Sequence, residues 1–70
     1  MDPETVWILE RNTWDRVAQH HFAAANLWFD ARHSGVKTHF EAWMRFCIHW
    51  RKYKEAVHLR ELASEELKHG

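Results

Sequence analysis

The sequence predicts an all-α fold: a long antiparallel hairpin of two helices, expected to pair with a second copy into a four-helix bundle. Three observations carry this. Helix-start signals stand at two places, Asp2-Pro3-Glu4 and Thr38 with Glu41. Apolar residues recur with a helical period through the segments that follow each of them. The one interior glycine, Gly35, falls between the segments, and no proline follows Pro3. The expected boundaries are a helix over about residues 3–33, a turn over 34–37 and a helix over about 38–68, all in one domain.

In the first helix Asp2 is placed to cap, Pro3 suits the first helical position, and Glu4 complements the helix dipole. Trp7, Trp14, His21 and Trp28 are seven apart. Val17, Ala18, Phe22, Ala24, Ala25 and Phe29 fill the flanking positions, as in a helix of a bundle. Asp15, Gln19, Asn26 and Asp30 share the opposite side, which reads as solvated. The pattern is weakest over residues 10–13, where Glu10 falls on the apolar side and Asn12 offers a second cap. One uninterrupted helix is favoured because Trp7 stays in phase with Trp14. The alternative is a separate turn or extended arm over residues 5–9.

Ser34-Gly35 reads as a C-cap and turn, with Val36 and Lys37 linking to the Thr38 cap. So short a connection makes the helices antiparallel neighbours. Folding at the turn sets Trp28 near Trp43, Ala24 and Ala25 near Phe46 and Cys47, and His21 near Trp50. His21 and His49 are also brought within reach of each other.

The second helix opens with a capping box, Thr38 and Glu41, and with Glu41 and Arg45 in the favourable i,i+4 order. Its apolar residues spread over roughly 220° of the helix, against a stripe of about 100° that one neighbouring helix covers. One seam holds Trp43, Phe46, Trp50, Tyr53 and Val57. The other holds Phe40, Met44, Cys47 and Ile48. One can be filled within the chain and the other needs a further molecule. Arg45, His49, Lys52 and Arg60 read as a basic outer face. Beyond Tyr53 the pattern shifts: Leu59, Leu62 and Leu67 are offset from the earlier seam. This end is expected to bend, fray or dock separately.

Seventy residues allow one marginal core, which short chains complete with disulfides, metals or self-association. The single cysteine, Cys47, excludes an intrachain disulfide, reads as a buried hydrophobe and fits a reducing, cytoplasmic setting. No secretory signal opens the chain. The longest uncharged run, residues 17–29, is too short and too polar to span a bilayer, so no membrane is expected. Ten basic and ten acidic residues give zero formal charge, which counts against a general polyanion binder and favours association. Locally, though, residues 37–60 are basic.

Seven histidines invite a metal, yet no two stand three or four apart as helical zinc ligands do. No metal and no cofactor are expected. A His-dependent metal or haem bundle, with His21 or Cys47 as axial ligand, is the weakest alternative. His21 sits in the tryptophan register, so its ring is expected to be buried and its protonation to oppose packing. Phosphate-loop, nucleophile-elbow, Cys-x-x-Cys and zincin motifs are absent from the sequence, so no enzymatic activity is expected.

The leading functional expectation is a small non-enzymatic regulatory or inhibitory protein that binds another protein through an aromatic helical surface, as a homodimer. Trp14, Trp28, Phe40, Trp43, Met44, Phe46, Trp50 and Tyr53 form the packing and interface set. Arg45, His49, Lys52, Lys54 and Arg60 flank it, and the alternative is that they contact RNA or DNA phosphates.

Overall fold

The computed structural model describes residues 2–34 and 39–69. Helix α1 spans Pro3–Ser34 and helix α2 spans His39–His69, and they pack side by side. At 1.5 Å per residue each helix is about 48 Å long. The molecule is accordingly a rod of 50 × 14 × 13 Å with a radius of gyration of 15.7 Å. A compact globule of this length would measure about 11 Å. The Gly35 cap, the 36–37 link and the Thr38 cap lie outside the described residues.

Asp2 caps α1 as expected. Its backbone carbonyl accepts from the Val6 amide at 3.1 Å, and its carboxylate accepts from the Glu4 amide at 3.4 Å. The helix runs unbroken through residues 10–13. Glu10 stays exposed on the apolar side, where its carboxylate accepts the Trp14 indole N–H at 3.0 Å. That bond satisfies the one N–H of the indole while the carboxylate remains in water.

The contact line between the helices is made of alanine. Ala18 and Ala25 of α1 and Ala42, Ala56 and Ala63 of α2 are buried, each 3% exposed or less. They fall seven or fourteen apart along each helix, the repeat of two helices supercoiling about one another. The α2 column at 42, 49, 56 and 63 reads Ala-His-Ala-Ala, so His49 is set among the alanines. Short side chains let two backbones approach closely, and alanine loses no rotamer freedom on burial.

This corrects the expectation that folding sets Trp28 near Trp43 and His21 near Trp50: Arg45 lies over Trp28, His49 meets His21, and Trp50 lies with Phe22 on the other edge. A ring cannot fit on the line where two helices approach most closely, so the rings are displaced to its edges. Trp43 and Trp50 stay 42% and 37% exposed. No side chain larger than alanine is fully buried among the described residues. The end of α2 is corrected too. It neither bends away nor breaks, because Ala56 and Ala63 continue the column and the helix reaches His69.

Candidate protein-interaction surface

Side chains along one edge of the alanine line meet in rungs seven residues apart. Phe29 and Phe46 have ring centroids 5.6 Å apart, and Phe22 and Tyr53 5.2 Å. The next rung is polar: Arg60 Nη1 donates to Asp15 Oδ1 at 2.7 Å. Positions 15, 22 and 29 of α1 thus face 60, 53 and 46 of α2, which fixes the antiparallel register. Along α2 the rings also stack on each other. Trp43 lies 5.3 Å from Phe46, Phe46 lies 5.9 Å from Trp50, and Trp50 lies 5.2 Å from Tyr53, each pair near parallel. Phe22 reaches Trp50 at 6.5 Å. Six rings therefore form one continuous ladder, each contact within the range where ring pairs attract.

The ladder is open to solvent. Phe22 is 45% exposed, in line with Trp43 and Trp50. Grooves run beside it. One is lined by Trp43, Phe46, Cys47, Trp50, Arg51 and Lys54, and the next by Trp50, Tyr53, Lys54, Val57, His58 and Glu61. Cys47 is a half-buried free thiol in the first of these. The second apolar seam of α2 points away from α1 altogether, with Phe40, Met44 and Ile48 all exposed.

The opposite edge of the alanine line carries Trp14, His21 and Trp28 of α1. Trp14 and Trp28 are half-buried. The Arg45 guanidinium lies over the Trp28 ring, 5.5 Å from its centroid. His21 Nδ1 and His49 Nδ1 are 3.0 Å apart, bridging the helices, and the His20 ring meets His21 edge-on. A bond between two Nδ1 atoms needs one donor and one lone pair, so at least one ring must be neutral. Both rings titrate below the ordinary histidine value. Burial is the main cause for each, followed for His21 by the charges of His20, His49 and Lys52, and for His49 by Lys52, His20 and Arg45. Lys52 lies in a groove with Trp14, Val17, His21, Glu55 and Ala56.

The basic residues expected on one outer face are thus divided. His49 and Arg60 turn inward to bridge the helices, and Arg45 covers Trp28, while Lys52 and Lys54 stay exposed. Asp15, expected on a solvated face, holds Arg60 and also accepts from Gln19 Nε2 at 2.9 Å. Sequence reasoning missed the Arg60–Asp15 bridge and the alanine columns. The seven-residue spacing of Asp15 from Phe22 and of Tyr53 from Arg60 is the signal that would have found the bridge.

Among the described residues no group of three or more His, Cys, Asp and Glu side chains is arranged to hold a metal ion. Among the same residues no helix is long and apolar enough to cross a membrane. No protein-family model, no curated protein and no solved structure matches this chain.

Proposed function

We propose that this chain is a small non-enzymatic regulatory or inhibitory module that acts by docking protein on the aromatic-rich surface of α2, and that it works as a homodimer closed into a four-helix bundle. One observation carries the reading. Both apolar seams of α2 are open: Trp43 and Trp50 on the ladder, and Phe40, Met44 and Ile48 on the back, are 37–74% exposed. A single α1 covers the first only in part and leaves the exposed residues of the second open, so two protein surfaces are available for two occupants. Exposed contiguous aromatic area of this kind marks protein-binding sites, and Trp, Tyr and Phe are the residues that anchor them.

The nucleic-acid reading draws less support from the geometry. Two of its five side chains, His49 and Arg60, are committed to the other helix.

A photo-crosslinking amino acid at Met44, with the same group at Asn26 as control, tests the proposal in cells. A discrete heterologous adduct from position 44 that is absent from position 26 supports a foreign partner on the back seam. Adducts that contain only this chain would reduce the reading to self-assembly.

A further inference from the structure

Charge is distributed along the rod with a clear polarity. Residues 18–54 hold six basic and two acidic residues in the sequence, and the described ones among them form the half of the rod away from the chain ends. Residues 1–17 and 55–70, which form the half with both chain ends, hold four basic and eight acidic residues. With histidines neutral, one half carries four positive charges and the other four negative. The net charge of zero conceals this. The fold creates it, because the hairpin lays the two acidic segments beside each other: Asp2, Glu4 and Glu66 line one groove at the free end. On the ladder side itself Arg51 and Lys54 line the groove in the basic half, and Glu61 lines the next groove toward the chain ends.

Area points the same way. The chain exposes 5406 Å². A folded monomer of 8.5 kDa exposes about 4,700 Å². The difference, roughly 700 Å², is close to the ~800 Å² that each partner loses in a stable dimer. The ladder side is a long, ring-lined strip on which such a contact can form.

We propose that the occupant of the ladder is a second copy of this chain, laid antiparallel, with the two-fold axis crossing the Trp50–Tyr53 stack. This inference rests on the docking role given above to the α2 surface and assigns its ladder half. The Trp50–Tyr53 stack lies near the middle of α2, so an axis there keeps most of both rods in contact. Antiparallel pairing sets the basic half of each chain on the acidic half of the other. Parallel pairing through the same rings sets like halves together, which costs free energy and slows encounter. The rings supply the adhesion and the charge polarity selects the direction. The back seam of Phe40, Met44 and Ile48 remains open for a different protein.

Spin labels on the full chain test the direction. In a Cys47→Ser background, Glu65→Cys places a label in the acidic half. An antiparallel pair holds two such labels about 40 Å apart, from the 1.5 Å rise between residue 65 and the axis. A parallel pair holds them roughly 10–25 Å apart, within the width of two adjacent rods. The charge variant Glu61→Lys/Glu65→Lys/Glu66→Lys changes only exposed side chains. It is expected to keep its helix content and to weaken self-association about fivefold or more in low salt, with the loss shrinking as salt screens it. Trp50→Ala is expected to weaken the dimer at all salt concentrations.

A short label distance, a chain that sediments as a monomer, or a dimer indifferent to Trp50→Ala each overturns the assignment. A monomer that still yields the heterologous adduct at Met44 would sink this inference together with the homodimer of the functional proposal, and keep its protein-docking role. An antiparallel dimer without such an adduct would do the reverse.

Discussion

Arg60 and Asp15 are joined across the hairpin by a 2.7 Å ion pair that occupies the rung after Phe22–Tyr53. A polar pair therefore extends a series of aromatic ones at the same seven-residue spacing. It fixes register rather than supplying stability, because its side chains are 34% and 39% exposed and water screens them. Arg60→Ala and Asp15→Asn should each cost about 0–1 kcal/mol. A double-mutant cycle in urea, repeated at high salt, should give a small coupling that salt reduces further. A coupling above a few kcal/mol would show the pair to be far better shielded than its exposure implies.

The His21–His49 bridge makes the hairpin acid-sensitive, and the sign follows from linkage. Both rings have a lowered pKa in the fold, so the unfolded chain takes up protons first as pH falls below about 6.5. The stability contributed by the neutral pair is fully present above that pH. It is lost as pH falls toward the folded-state values, where the second proton also removes the last lone pair from the bridge. Thermal melts at pH 7.5 and 5.0 should show a lower Tm in acid, and His21→Leu/His49→Leu should flatten the difference. An unchanged pH profile in the double variant would move the sensitivity elsewhere.

The alanine columns predict intolerance to larger side chains. Ala42 is 0% exposed and Ala25 is 1% exposed, on the line of closest approach. Ala42→Leu must push the helices apart or force strained rotamers, at about 1–3 kcal/mol. Ala23→Leu, on the exposed side of α1, should be within about 0.5 kcal/mol of the parent. Urea midpoints distinguish the two. A more stable Ala42→Leu protein would mean that the helices are not held close by this line.

Trp50 stacks between Phe46 and Tyr53 and also meets Phe22. Trp50→Ala removes three ring contacts from a site 37% open to water. The expected cost to folding is about 1–3 kcal/mol, below that of deleting a fully buried tryptophan. Chemical denaturation of a dilute sample isolates the folding cost from the association cost. A protein that stays fully folded and fully assembled would remove the ladder from both roles.

Asp2 satisfies amides at the start of α1 with both its carbonyl and its carboxylate. Asp2→Ala should cost roughly 0.5–1 kcal/mol and increase amide exchange over the first turn. Protection unchanged through residues 3–7 would argue that packing of Trp7 against the end of α2 holds this terminus instead.

Sequence alone determined what is local or periodic. Asp2-Pro3-Glu4 starts a helix because capping chemistry acts within one turn. The helices, their antiparallel pairing and the meeting of His21 with His49 follow from period and from a turn only a few residues long. Only tertiary structure decided which face looks inward. Alanine and tryptophan both count as apolar, and their columns lie within a fraction of a turn of each other on each helix, so the 3.6-residue period fits either. Steric size breaks the tie once two cylinders touch: small side chains take the contact line, and rings are expelled to its edges. That choice put Asp15 and Arg60 on a common rung, set His49 in the alanine column, and left the aromatic ladder facing water.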